Sequence, residues 1–203
     1  MWDRCLVYYS VLPGVTCDNP LTPWPCEGVK KPLENQKGGI TRRLFRPDDL
    51  EILYRIDQAC FPPGVSYSRQ ELAAFIAHRN SRTWVAASGG QIIGFLVAGR
   101  TQQRVGHVVT IDVAEPWRRR RVGTLLMDAV EEWAQQQRLR FVYLETAEDN
   151  LSAQAFYEKR GYIKLKRIAR YYGNGAAAWV MVKALGKSTL DFGFSILDSR
   201  NRG

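Results

Sequence analysis

Four consecutive arginines, Arg118, Arg119, Arg120 and Arg121, stand directly before Val122-Gly123-Thr124 and a leucine-rich stretch. The first backbone N–H groups of a helix have no partner within it and carry the positive end of its dipole. A helix that opens at Val122 therefore offers three main-chain donors and four guanidinium groups to one anion. Gly123 has no side chain to hold a ligand away. A small polyphosphate suits this arrangement better than the backbone of DNA. Without the helix, the same run reads as a solvated basic turn or a non-specific nucleic-acid patch. The four cysteines, Cys5, Cys17, Cys26 and Cys60, match neither a zinc spacing nor a CxxC redox pair. They read as isolated thiols of a reducing cytoplasm, and no metal is expected.

The middle of the chain must hold that run in place, and it reads as mixed α/β. A strand is expected over 41–45. A helix over 47–60 follows, with Asp48 and Asp49 in its first turn complementing the dipole. A second helix over 68–78 has Ser68 and Glu71 at capping-box spacing. Strands follow over 83–87, 92–100 and 106–114, the first two joined by Gly89-Gly90, a hairpin signal. Residues 122–137 form an amphipathic helix with Val122, Leu125, Leu126, Ala129, Val130 and Trp133 on one stripe. A short apolar strand over 141–145, a helix over 150–159 ending at Gly161, and strands over 162–168 and 177–182 complete the pattern. The expected architecture is a three-layer α/β sandwich with a mixed sheet of about six or seven strands and about four helices. At least one strand pair must be parallel. In such sheets ligands bind beyond the carboxyl ends of the strands, which points to the residues after Val113 and to Glu145.

Composition bounds the rest. The chain has 203 residues, 45% hydrophobic and 24% charged, with a formal net charge of +9 and a pI of about 9.6. This is ordinary globular composition, and no apolar run approaches a membrane-spanning helix. Residues 1–39 are rich in proline, lack any period and are electrically neutral, so an irregular extension is expected there. A start of translation further in would explain that irregularity. A working domain over 40–185 carries +8, and a tail over 186–203 carries +1. No signal peptide is apparent, since Asp3 cancels Arg4 and Pro13 interrupts the apolar stretch. A cytoplasmic protein, monomeric or weakly dimeric and without membrane or specific nucleic-acid partners, is expected.

The run Ile111-Asp112-Val113, then Trp117, then Arg118-x-x-Arg121-Val122-Gly123 resembles the acetyl-CoA signature of the GNAT superfamily of N-acyltransferases. Arg121 stands where that family usually has its first glycine. A second signature follows: Leu144-Glu145-Thr146, then Asn150-x-x-Ala153-x-x-Phe156-Tyr157, then Gly161-Tyr162. The resemblance covers about 40–185 and implies a GNAT-like central sheet and acetyl-CoA as cofactor. It implies that 111–113 offer main-chain groups to the pantetheine arm and that 118–121 with Val122, Gly123 and Thr124 hold the phosphates. It further implies that Asn150 bonds pantetheine and that Tyr157 lies near the thioester sulfur.

Acetyl transfer to an amine needs a neutral nucleophile, a polarised thioester and a proton for the departing thiolate. Glu145 can take the proton of an α-ammonium and Tyr157 can supply one to the sulfur. This pairing resembles the ribosomal-protein-alanine branch of the superfamily. Arg170-Tyr171-Tyr172 resembles the peptide-slot tyrosines of the N-terminal acetyltransferases, and Phe61-Pro62-x-x-Val65-x-Tyr67 their other substrate wall. Ala176-Ala177 stand where that group often has Glu-Asp. His107 sits near the start of the strand that leads to Val113, and its part in proton transfer stays open. The expected acceptor is a protein or peptide N-terminus, a ribosomal protein among them. A small amine (polyamine, amino sugar or drug) is the alternative within the superfamily, and a basic nucleic-acid-binding module the alternative outside it.

Overall fold

The structure is a computed structural model that describes residues 39–101 and 103–186. The expected extension and tail fall outside these residues except for Gly39 and Gly186, as do Cys5, Cys17 and Cys26. Strand β1 (Thr41–Leu44) leads through a single 3-10 turn at Pro47–Asp49 into α1 (Leu50–Cys60). One helix was expected over 47–60. The first turn stays tight because the Asp49 carboxylate accepts from the Arg46 main-chain N–H and from both terminal nitrogens of Arg43. Helix α2 (Arg69–Ala77) starts from the expected capping box: Glu71 N–H donates to Ser68 Oγ at 3.2 Å and Ser68 N–H to Glu71 Oε2 at 2.9 Å.

Strands β2 (Ser81–Ser88), β3 (Gln91–Arg100) and β4 (Val105–Val113) form an antiparallel meander. The β2–β3 turn places Gly89 and Gly90 at φ 55 and 83, the left-handed region that a two-residue hairpin turn requires. A second 3-10 turn at Glu115–Trp117 precedes α3 (Val122–Gln136). Then come β5 (Phe141–Ala147), α4 (Leu151–Lys159), β6 (Ile163–Ile168) and β7 (Ala178–Ala184). The seven strands lie in the order β1-β2-β3-β4-β5-β7-β6, and β4 with β5 is the parallel pair. Strand β5 runs two residues beyond its expected end because Thr146 and Ala147 still pair with Trp179 and Ala178 of β7.

Alternation along the strands sends apolar side chains to both faces, and each face has its own core. On one, Leu126, Met127, Val130 and Trp133 of α3 and Tyr157 of α4 pack on Trp84, Leu96, Val108, Val142 and Leu144. On the other, Leu53 and Ile56 of α1 and Leu72 of α2 pack on Val85, Phe95 and Val97. Burying each such side chain contributes about 1.5–3 kcal/mol, so the two layers clamp the sheet from both sides. Among the described residues no helix is long and apolar enough to cross a membrane.

Candidate active site

The sheet opens at one level. Strands β4 and β5 pair only from Val105 with Phe141 to Val108 with Leu144. Beyond that point β4 keeps β3 as its partner and β5 keeps β7. A register shift in the β3–β4 ladder leaves Val109 as an extra residue at the point of parting. Such a bulge bends its strand and turns it away from a neighbour. Residues 109–113 thus present a main-chain edge toward β5 with no strand on it among the described residues, and the gap lies at the carboxyl ends of the parallel strands.

His107 and Glu145 stand at this opening. His107 Nε2 and Glu145 Oε2 are 2.8 Å apart. A carboxylate only accepts, so the imidazole donates from Nε2. The His107 ring stacks on Tyr143 of β5, with centroids 4.4 Å apart and planes 5° from parallel. The stack follows from the register, which sets His107 directly beside Tyr143. Glu145 is two residues further along β5 and so shares the face of Tyr143. The order places a carboxyl, a hydrogen-bonded imidazole and a phenol on one side of the gap.

Four tyrosines feel the Glu145 charge. Burial first and Glu145 second push the phenols of Tyr67, Tyr143 and Tyr172 above their ordinary range, and Tyr171 lies within the same field. Tyr67 Oη donates to Val109 O at 3.3 Å, and its ring meets Phe75 edge-on at 5.1 Å. Tyr171 and Tyr172 meet edge-on at 4.9 Å. The segment between α1 and α2, which carries Phe61, Pro62 and Val65, is fastened to the β6–β7 segment by one main-chain bond: Gly173 N–H donates to Gly64 O at 2.8 Å. The two expected substrate walls are therefore tied to each other beside Glu145.

Beneath this region sit two buried carboxyls. Asp57 on α1 is 0% exposed and Asp112 on β4 is 1% exposed. Asp57 Oδ2 accepts from Tyr67 N–H at 2.9 Å and Gln58 Nε2 at 3.1 Å, and Asp112 Oδ2 accepts from Thr110 Oγ1 at 2.9 Å. The Oδ1 atom of each has no partner among the described residues. Burial pushes Asp57 up to about 6 and Asp112 well above the usual carboxylate range, and the Asp57 charge raises Asp112 further. Asp57 anchors the start of the substrate wall through Tyr67. The Asp112 side chain is buried near Asp57, so its residue can meet a cofactor only through the main chain. Cys60 is a free thiol whose Sγ donates to Val113 O at 3.4 Å, and burial pushes its pKa up.

The start of α3 fits a polyphosphate. Arg121 is its N-cap, at φ 63 and ψ 11, and makes no side-chain cap bond. The first bond along the helix is Leu125 N–H to Arg121 O at 3.0 Å. The N–H groups of Val122, Gly123 and Thr124 have no acceptor among the described residues. A Cβ added at Gly123 would meet Phe156 Cζ at an ordinary 3.5 Å, so packing does not demand a glycine there. Arg118 Nε donates to Val113 O at 3.1 Å, and the Arg120 guanidinium lies 5.4 Å from the Trp117 ring centroid. Arg119, like Arg121, is left-handed, with φ 60. All four arginines are exposed. Across the gap, Asn150 caps α4, its Oδ1 accepting from Ala153 N–H at 3.1 Å, which leaves its side-chain NH₂ for a ligand. Tyr157 is 6% exposed and packs with Phe156 and Tyr162. Burial, then the charges of Asp112 and Tyr172, push its phenol pKa up.

Reading the sequence alone did not single out Tyr143 or Asp57. The available signals were the Tyr143-x-Glu145 alternation, which puts both side chains on one face, and an aspartate on the apolar stripe of α1.

The sequence matches the acetyltransferase (GNAT) family over residues 50–162. An N-alpha-acetyltransferase of Saccharolobus solfataricus is 28% identical over 168 residues, covering 75% of this chain and 98% of the relative. The crystal structure of Ard1 from Thermoplasma volcanium superposes with a TM-score of 0.67 at 27% identity, covering 73% of this chain and 99% of that one. The Escherichia coli ribosomal-protein-S18-alanine N-acetyltransferase shares the fold, with a TM-score of 0.67 at 18% identity over 75% of this chain and 98% of that one. With the family match covering more than half of its length, the chain belongs to the GNAT acetyltransferases and is an acyltransferase that uses acetyl-CoA.

Proposed function

We propose that the protein acetylates the free α-amine of a peptide or protein. The observation that carries this reading is the His107–Glu145 pair at the parting of β4 and β5, set among tyrosines on two segments that are bonded to each other. An α-ammonium has an ordinary pKa of about 7.7–8.0, against about 10.4 for a lysine side chain. It therefore yields its proton near neutrality to a weak base. Glu145 Oε2 is engaged by His107, which orients the carboxyl and leaves its second oxygen to take that proton, directly or through one water. Tyr67, Tyr171 and Tyr172, with Phe61, Pro62 and Val65, form the walls against which an extended peptide end would lie.

Acetyl-CoA supplies the acetyl group as an activated thioester. The main chain of Ile111, Asp112 and Val113 would hold its pantetheine arm, together with the side-chain NH₂ of Asn150. The N–H groups of Val122, Gly123 and Thr124, with the guanidiniums of Arg118 to Arg121, would hold its phosphates. Tyr157 keeps a proton on Oη at neutral pH because burial disfavours the phenolate. It is thus a donor when a sulfur nearby gains charge.

Purified protein should acetylate short peptides with a free N-terminus much faster than N-terminally blocked peptides that carry a free lysine. Equal rates on both would overturn the α-amine reading. Tyr157→Phe should lower turnover by roughly 10²–10⁴ if the phenol is the acid. A loss below about threefold would remove it from that role.

A further inference from the structure

The phosphates of one cofactor leave much of the charge excess unused. Six more arginines, Arg79, Arg82, Arg100, Arg104, Arg138 and Arg140, are all exposed and lie at the other end of the sheet. They stand at the start of β2, the end of β3, the β3–β4 turn and the α3–β5 turn, on segments (78–82, 100–104 and 137–140) that contain no aspartate or glutamate. None of the six pairs with a carboxylate among the described residues. The acidic side chains toward the end of α3 are already engaged, Glu132 by Arg42 and Glu131 by Arg160 and Lys183. Arg79, Arg100 and Arg104, with Asn80 and Thr101, line a cleft of about 510 Å³.

The array is held by main-chain bonds. Arg100 N–H donates to Asn80 O at 2.9 Å, Arg140 N–H to Arg104 O at 3.0 Å, and Leu185 N–H to Arg140 O at 2.9 Å. Arg104 Nη2 donates to Arg138 O at 2.7 Å. A fixed row of like charges without counter-charges among the described residues costs stability by mutual repulsion, so it favours a bound anion. The row crosses the ends of four adjacent strands, roughly 14 Å at about 4.8 Å per strand. Along the axis of a nucleic-acid helix each strand places about four phosphates in that length, at about 3.4 Å each. All six cations are arginine, whose planar fork matches phosphate better than the lysine ammonium does.

We propose that this end of the sheet binds the phosphodiester backbone of a nucleic acid without reading its sequence. The gap between β4 and β5 opens only beyond Val108, four residues or roughly 13 Å along β4 from Arg104, and runs on away from it. A bound strand would leave the cleft between β4 and β5 open. The proposal does not depend on the acceptor assigned above.

The test is fluorescence anisotropy of the full chain with a labelled RNA hairpin and a DNA duplex of equal length, between 50 and 200 mM salt, with CoA at saturation. The expected result is binding to both, with log Kd rising against log salt with a slope of roughly 3–5 as four to six phosphates are neutralised. The triple substitution Arg79→Gln, Arg100→Gln, Arg104→Gln should weaken binding at least tenfold and leave acetylation of a short peptide unchanged. Competition by CoA would move the site to Arg118–Arg121 and overturn the proposal. Equal binding of a poly-glutamate of the same charge, no binding, or indifference to the triple substitution would overturn it as well.

Discussion

Replacing Arg121 by glycine should make the free enzyme more stable and its grip on CoA weaker. Arg121 sits at φ 63 and ψ 11, where an L-residue pays roughly 1–2 kcal/mol from the approach of its Cβ to the carbonyl. Glycine escapes that strain but loses about 0.5–1 kcal/mol through the greater freedom of its unfolded chain. The side chain is exposed and makes no cap bond, so its removal forfeits no hydrogen bond or ion pair within the described residues. A net gain of about 0.5–1 kcal/mol follows, a rise of about 1–4 °C in Tm for a chain of this size. If the guanidinium meets a cofactor phosphate, its loss removes a charge-assisted bond of about 1.5–3 kcal/mol. CoA affinity would then fall by roughly 10- to 150-fold. Arg121→Ala isolates the two effects, since alanine keeps the strain and loses the charge. It should leave the apo Tm within about 1 °C of wild type and weaken CoA as glycine does. Thermal melting without ligand and calorimetric titration with CoA read both quantities. A lower apo Tm for Arg121→Gly would refute the strain argument, and unchanged CoA affinity in both variants would refute the phosphate role.

Two further substitutions test the ground beneath the site. A Cβ at Gly94 would lie 2.6 Å from Asp112 O and 3.3 Å from Val113 Cα, both main chain, so Gly94→Ala must displace the part of β4 proposed to hold the cofactor. It should cost about 1–3 kcal/mol in chemical denaturation, and a loss under about 0.5 kcal/mol would refute the contact. Asp57 has a folded pKa of about 6 against an ordinary 3.8. A raised carboxyl pKa contributes no penalty below the ordinary value and a growing one as pH climbs through the folded value, reaching about 3 kcal/mol near pH 7. The stability of Asp57→Asn relative to wild type should therefore increase between pH 4 and pH 7, as followed by urea denaturation at each pH. A pH-independent difference would show that Asp57 ionises as freely folded as unfolded.

Local chemistry was legible where it acts locally. The Ser68–Glu71 capping box, the Gly89-Gly90 turn and the apolar stripe of α3 each rest on residues within one or two turns of each other, and all three appear in the structure. Glu145 was found because a general property of parallel sheets points to strand ends. Tyr143 and His107 form a stack only because β4 and β5 pair in one register across an intervening helix. No local pattern encodes that register. The Asp57–Asp112 pair is hidden for the same reason, since a helix and a strand bring the two together. The dihedrals of Arg121 were also beyond a sequence pattern: an arginine there is compatible with an extended, helical or left-handed cap, and the turn from Trp117 decides among them.

The net charge of +9 is best understood by asking which cations have carboxylates to meet. Around α1, α3 and β6 they do, as in Arg43 with Asp49, Arg160 with Asp128 and Arg167 with Glu148. An exposed pair such as Arg167 with Glu148 adds little to stability, about 0–1 kcal/mol, but all three neutralise the surface locally. At both ends of β4 that neutralisation stops. Among the described residues, the run before α3 is left uncompensated where three helix N–H groups also lack acceptors, an arrangement that suits a small, highly charged ligand. Among the described residues, the row from Arg79 to Arg140 is uncompensated along strand ends spaced at regular intervals, without a helix start behind it. Spacing rather than charge distinguishes the two. Convergence on one point selects a compact polyphosphate, whereas a row selects an extended chain of phosphates.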